Sequence, residues 1–164
     1  MSFSFGNNSR KKLETCHSDL QKILNLAISR SSVDFGVSEG HRPKTVQFEL
    51  FKIGRMIKNG KWIKIGKTVT NVDGYDKEGK HNIEISEAVD IYIYHPDKGV
   101  REKIMYSHIH MAYVIGIISS CAKELLVKGE ITHDIRSGSN WDGDGIIDLD
   151  QTFDDYPHIE LINL

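Results

Sequence analysis

Three stretches of the chain repeat apolar residues at the three- and four-residue spacing of an amphipathic helix. They span residues 9–31, 43–58 and 102–127. The third stretch has the broadest apolar face and stops at Lys128-Gly129, a pair typical of a helix C-terminus. We therefore expect three helices, with the third as the central packing helix.

Shorter stretches rich in β-branched and aromatic residues predict four strands. They span residues 34–38, 88–94, 131–137 and 158–162, and AVDIYIY at 88–94 is the clearest. Residues 60–82 alternate only partly before a turn-rich run, so we predict a hairpin or a surface loop there. Because no repeat or linker divides the chain, we predict one α+β domain over residues 1–164.

The composition is that of an ordinary globular domain and argues against several classes of protein. The 21 Lys and Arg residues nearly balance 23 Asp and Glu residues, for a net charge of −2, so we expect no nucleic-acid partner. Cys16 and Cys121 are far apart in sequence, so neither a CxxC metal motif nor a disulfide framework is indicated. We recognise no run of membrane-spanning length and no secretory signal, so we expect folding in a reducing cytosol and no membrane insertion.

Two of the eight histidines stand out because of their neighbours. His81 precedes the strand that carries Asp90, and a carboxylate in an apolar strand is costly unless a cation or hydrogen-bond donors meet it. His158 begins the last strand, three residues after Asp155. Two imidazoles and one carboxylate match an open zinc site with water as fourth ligand, and Asp155 is then a spare carboxylate near that water. The alternative is that Asp90 caps or edges a strand and that His158 is merely exposed.

Other histidines are less suited to bind an ion. His108 and His110 lie two residues apart in the third predicted helix, where side chains diverge by about 200° and cannot grip one ion from the same face. We interpret these two residues, and His17 in the first helix, as packing or surface residues.

Three motifs occur in a fixed order: GKH at 79–81, SEAVDIY at 86–92 and DYPHIEL at 155–161. Together they resemble the zinc peptidases of the D-alanyl-D-alanine carboxypeptidase/VanY group, and most closely the phage endolysins that act as L-alanyl-D-glutamate peptidases. The runs SEGHRPKTVQFELFKIGR and IRSGSNWDGDG are similar to further segments of that family, so the likeness covers most of the chain.

The resemblance implies a fold like that of hedgehog and D,D-peptidase domains, with a small antiparallel sheet packed against about three helices. It implies that His81, Asp90 and His158 bind zinc, that Asp155 is the catalytic base, and that Arg42 holds a substrate carboxylate or the developing oxyanion. A guanidinium suits that task because it offers a fixed bidentate fork. Without the resemblance, Arg42 is equally well read as a surface residue at the start of a helix.

The sequence departs from the family pattern near these motifs. Gly79 stands where many members have Ser, Ser86-Glu87 replaces a pair of small residues, and His41 takes a position often held by an aromatic residue. These departures leave the implied metal site intact and bear on the preference for substrate.

The predicted function is that of a zinc metallopeptidase that cuts the L-Ala–D-Glu bond in peptidoglycan stem peptides and so lyses the bacterial wall. Removal of a terminal D-Ala is the enzymatic alternative, and a non-enzymatic calcium- or wall-binding module is the alternative from another class. The resemblance further implies a monomer that stays in the host cytoplasm until lysis and then acts on the wall.

An acidic loop precedes the last motif. From Asn140, the run NWDGDGIIDLDQ follows the register of a calcium loop, with possible ligands at Asn140, Asp142, Asp144 and Asp148. Asn replaces the usual first Asp, and Gln151 replaces the bidentate Glu, so binding is expected to be weakened. The alternative is a solvated acidic turn. If calcium does bind, we expect it to order the segment that carries Asp155.

Overall fold

A four-stranded antiparallel sheet is the centre of the fold. A computed structural model describes residues 2–147 and 154–164 of the chain. The strands follow the order β1-β4-β6-β5 across the sheet, and every neighbouring pair is antiparallel. Their bounds are β1 Phe35–Glu39, β4 Ala88–Ile93, β5 Asp134–Gly138 and β6 Asp155–Ile162, and a separate hairpin consists of β2 Arg55–Lys58 and β3 Lys61–Lys64.

Five α-helices and one 3-10 turn accompany the sheet in the described part of the chain. The bounds are α1 Asn7–Leu13, α2 Ser18–Arg30, α3 Lys44–Lys52, α4 Lys98–Ile104 and α5 His108–Val127, with the 3-10 turn at Lys80–Asn82. The α+β class and the antiparallel sheet are thus confirmed. The number of helices exceeds the expected three because two of the predicted helices are each broken into two.

Both breaks occur where backbone groups bond to a distant segment. Between α1 and α2, the N–H of His17 donates to Ser86 O, and the N–H of Ser86 donates to Thr15 O. Between α4 and α5, Met105 O accepts the N–H of Ile93 at the end of β4. A helix that ran through either point would lose these long-range hydrogen bonds.

The helix predicted over residues 43–58 ends early, at Lys52. Gly54 follows with a positive φ of 72°, and a Cβ there would lie 2.2 Å from the carbonyl oxygen of Lys67. The chain then turns into β2, so the prediction of helix beyond residue 52 is wrong. The hairpin expected in residues 60–82 exists, but it begins earlier and spans residues 55–64.

The hydrophobic core lies between the sheet and the pair α2 and α5, which pack against each other. Its fully buried side chains include Leu20, Leu24, Val89, Ile91, Ile118 and Ile159. Removing each such side chain from water contributes about 1.5–3 kcal/mol to folding.

Helix α5, with 20 residues, is long and apolar enough to cross a membrane. This differs from the expectation that no stretch reaches that length. A core helix of a domain has the same length and composition, and α5 buries Met111, Val114 and Ile118 in the core. It is therefore the central packing helix that its pattern predicts.

Candidate active site

The sheet register brings the candidate ligands together. Asp90 on β4 lies directly opposite His158 on β6 and opposite Glu39 on β1. The side chains of Val89 and Ile91 point to the core, so the alternating pleat turns Asp90 to the other face of the sheet. His81 reaches the same place from the 3-10 turn that precedes β4.

Three ligand atoms form a nearly equilateral triangle. His81 Nε2 lies 3.1 Å from Asp90 Oδ1, His158 Nδ1 lies 3.2 Å from the same oxygen, and the two nitrogens are 3.2 Å apart. Donors at tetrahedral angles, about 2.0–2.1 Å from a zinc ion, would lie about 3.3–3.4 Å apart. His81 and His158 are 6% and 8% exposed, so both imidazoles are largely shielded from solvent.

The outer nitrogen of each imidazole is held by an acceptor. His81 Nδ1 lies 2.7 Å from Gly40 O, and His158 Nε2 lies 3.1 Å from Glu160 Oε2. Because a carbonyl and a carboxylate only accept, each of these nitrogens carries the hydrogen. When both rings are neutral, the other two nitrogens, His81 Nε2 and His158 Nδ1, therefore direct their lone pairs toward Asp90 Oδ1. Three converging lone pairs repel one another unless a cation lies among them, and this donor set therefore fits a divalent metal.

The charges around the triangle set its proton affinity. Burial lowers the pKa of His158, but hydrogen bonds to Asp90 and Glu160 outweigh it and raise that pKa to about 9. Burial raises the pKa of Asp90, yet the hydrogen bonds and charges of His158 and His81 hold it well below its usual range. Either a proton on His158 or a metal ion can thus neutralise the negative charge of Asp90 and Glu160. Binding of a metal would therefore release that proton.

Arg42 holds the second oxygen of Asp90. Its Nη2 donates to Asp90 Oδ2 at 3.1 Å, its Nη1 donates to Gln47 Oε1 at 3.0 Å, and its Nε lies 3.4 Å from Glu39 Oε2. Three of the five guanidinium N–H groups are therefore engaged within the protein, and two remain. Arg42 is not the surface residue of the alternative interpretation, because its side chain is only 15% exposed.

Asp155 lies on the wall of the same cavity as the triangle. This cavity has a volume of about 770 Å³ and is lined by Arg42, Lys80, His81, Asp90, Asp155 and His158, among others. Burial and the negative charge of Asp90 raise the pKa of Asp155. The structure thus places all five residues that the resemblance singles out around one cavity. Among them, the carboxylate of Asp155 lies outside the triangle and has a raised pKa.

Four residues of the site were not predicted from sequence: Gln47, Arg136, Trp141 and Glu160. Glu160 is bonded to His158 on one side and to Arg136 on the other, and Arg136 Nη1 also donates to Trp141 O at 3.1 Å. Glu160 could have been found, since residues two apart on a strand share a face. Gln47 gives no such signal, because its contact with Arg42 depends on how α3 meets the loop before it.

A second group of two histidines and one aspartate has a different character. Asp19 Oδ2 accepts from the N–H groups of Thr132 and His133 and lies 2.8 Å from His133 Nδ1. The lone pair of His17 Nδ1 accepts the N–H of Asp19 at the start of α2. Because donors within the protein already use these lone pairs, the group connects α2 to the segment before β5. His17, interpreted from sequence as a packing or surface residue, caps the start of α2 with a half-buried side chain.

The acidic loop is described as far as residue 147. Asn140 Oδ1 accepts from Gly143 N, Asp142 Oδ1 from Asp144 N, and Asp144 Oδ1 from Ile146 N, which are local turn contacts. Asp148, the fourth predicted calcium ligand, lies outside the described residues.

A family model of phage L-alanyl-D-glutamate peptidases matches residues 1–162. The chain belongs to this family. Its fold is similar to the crystal structure of the L-Ala D-Glu endopeptidase ChiX of Serratia marcescens, with a TM-score of 0.64 and 20% sequence identity. That match covers 98% of this chain and 91% of ChiX. No curated protein matches the chain.

Membership in the phage L-alanyl-D-glutamate peptidases confirms the resemblance inferred from the three motifs. It indicates a peptidase whose substrate is peptidoglycan.

Proposed function

We propose that this phage peptidase is a zinc enzyme that hydrolyses the L-Ala–D-Glu bond of peptidoglycan stem peptides. The observation that carries the proposal is the triangle of His81, Asp90 and His158, whose lone pairs converge in the cavity that the half-buried carboxylate of Asp155 also lines. Two imidazoles and one carboxylate are a common ligand set of catalytic zinc and leave a fourth position open.

Bound zinc would polarise the scissile carbonyl and make a water molecule more acidic at neutral pH. Asp155 accepts the proton of the attacking water and returns it to the nitrogen of the leaving amine. Its raised pKa suits both halves of this task, since a base that is too weakly basic does not hold a proton long enough to deliver it.

Arg42 has two tasks in this proposal. Its contact with Asp90 Oδ2 fixes the orientation of that ligand, so that the other carboxylate oxygen faces the two histidines. Arg42 also lines the cavity, and its two remaining N–H groups can hold a carboxylate of the stem peptide.

The test combines metal analysis with product analysis. We expect about one zinc per chain in purified protein, release of soluble peptides from purified sacculi, and loss of this activity on chelation with recovery on adding Zn²⁺. Mass analysis should find new L-Ala carboxyl ends and new D-Glu amino ends. Activity that survives complete removal of metal would refute the zinc proposal, and released D-Ala alone would refute the scissile bond.

We also propose that calcium binds the acidic loop and thereby orders the approach to Asp155. The support is the register of oxygen side chains from Asn140 onward and the position of the loop just before β6. A calcium-selective chelator should lower the activity of zinc-loaded protein, and unchanged activity would refute this regulation.

For its place of action, we propose that the enzyme remains in the host cytoplasm until lysis and then reaches the wall as a monomer. Fractionation of infected cells before and during lysis, followed by size-exclusion chromatography of the enzyme, tests both points.

A further inference from the structure

The positive charge of the chain is concentrated around the β2–β3 hairpin. Residues 50–72 hold six of the 21 Lys and Arg residues and none of the 23 Asp and Glu residues. The remainder of the chain is therefore acidic, with 15 basic residues against 23 acidic ones. A balanced total charge thus conceals one strongly cationic segment.

The hairpin places like charges opposite each other. Two of its four cross-strand pairs join two cations, Arg55 with Lys64 and Lys58 with Lys61. Directly opposed like charges destabilise a sheet. In the described part of the chain, no acidic side chain pairs with Lys58, Lys61 or Lys64. An anionic partner from outside would relieve this repulsion.

One face of the hairpin is directed away from the rest of the protein. Trp62 makes edge-to-face contacts with Phe48 and Phe51 of α3, so its face of the hairpin covers that helix. Since side chains alternate along a strand, the opposite face carries the cross-strand pairs Met56–Ile63 and Lys58–Lys61. All four of these side chains are exposed.

Apolar side chains are exposed among these cations. Besides Met56 and Ile63, Ile65 just after β3 is 63% exposed. A carboxylate or phosphate polymer offers cations a partner but gives these side chains no apolar surface to cover. The interface of an anionic lipid bilayer offers both, because lysines meet headgroups while apolar side chains enter the acyl boundary.

We propose that the β2–β3 hairpin binds the surface of anionic lipid bilayers. Residues 68–72, which follow β3, line the wall of the catalytic cavity, so the hairpin lies beside the cleft. Lys58 and Lys61 at its tip do not line the cavity, and the membrane contact is therefore separate from the site of hydrolysis.

Sedimentation with vesicles tests this proposal on the full-length, metal-loaded protein. We expect binding to vesicles of phosphatidylcholine and phosphatidylglycerol, weaker binding at high salt, and little binding to pure phosphatidylcholine. The double variant K58Q/K61Q should lower the partition coefficient about 30-fold, since each lysine at an anionic surface contributes a factor of about five. The separate double variant M56S/I63S should also lower the partition coefficient, but binding should depend on salt as it does in the wild type.

The matched control is K98Q/K103Q, which removes two exposed lysines from α4. We expect it to bind anionic vesicles like the wild type, and we expect all three variants to cleave a soluble stem peptide normally. Equal vesicle binding by K58Q/K61Q and the wild type would overturn the proposal. So would binding to soluble polyglutamate or to sacculi, but not to anionic vesicles, because the partner would then be a polymer.

Discussion

Replacing Glu160 by Gln tests whether its contact with His158 supports the proposed metal site. Glu160 Oε2 accepts from His158 Nε2 at 3.1 Å, while the other oxygen faces Arg136. The substitution keeps the size of the side chain but removes the negative charge that makes His158 a stronger electron donor. Losing such a partner of a metal-bound histidine typically weakens metal binding about 10–100-fold, which is about 1.4–2.7 kcal/mol.

The change should be seen as a higher dissociation constant for Zn²⁺, measured by competition between the metal-free protein and a chromophoric chelator. Hydrogen bonds to His158 and Arg136 overcome the effect of burial and lower the pKa of Glu160 to about 2. Glu160 is therefore ionised at every pH near neutrality. Because Glu160 also helps to raise the pKa of His158 to about 9, and a bound metal displaces that proton, the two affinities are compared above pH 9, where His158 is deprotonated in both proteins.

E124Q is the control, because it removes the same charge from an ion pair with Arg30 on the outer surface of α5, away from the cavity. Its zinc affinity should match that of the wild type. If E160Q also binds zinc within about twofold of the wild type, Glu160 is a structural residue only. Its hydrogen bond to His158 then does not strengthen metal binding.

Three further predictions concern the base and the stability of the fold. D155N should keep about one zinc per chain but lose about 10²–10⁴-fold in turnover of sacculi, and normal turnover would exclude Asp155 as the base. G138A should lower activity with zinc retained, because a Cβ at Gly138 would lie 2.3 Å from the carbonyl oxygen of Asp155. Unchanged activity would show that the strand can shift without displacing the Asp155 side chain. Burial raises the pKa of Asp19, but hydrogen bonds from His133 and the backbone lower that pKa below its usual value. The stabilisation from ionised Asp19 is therefore present at neutral pH and is lost as the pH falls through the folded-state pKa. D19N should therefore cost about 1–3 kcal/mol in urea unfolding at pH 7, a loss that shrinks below about pH 4, and equal losses at both pH values would contradict this role.

The periodicity of the chain predicted where helices form, but not where they break. Residues 9–31 and 102–127 have the predicted helical character, and each lies mostly in two helices rather than one. The breaks depend on hydrogen bonds to Ser86 and to Ile93, which are distant in sequence. A local pattern contains no information about such partners, because they become neighbours only in the folded chain.

The early end of α3 has a similar cause. The apolar spacing continues through Ile53 and Ile57, as in an amphipathic helix, but Gly54 adopts a positive φ and the chain reverses into the hairpin. In each strand of the hairpin, two adjacent apolar residues lie between two cations, RMIK in β2 and KWIK in β3. So short an apolar run fits a turn of helix as well as a strand.

The sequence by itself determined the α+β class, the central helix and the identity of the three residues whose donor atoms converge, since these depend on residue type, local period and motif order. The tertiary structure decided what surrounds those donors. It shows that Gly40 accepts from His81 Nδ1 and that Glu160 accepts from His158 Nε2. It also shows that Arg42 donates a hydrogen bond to Asp90. Such contacts arise from the register of β4 against β6 and from the packing of loops, both of which are set by interactions across the whole fold.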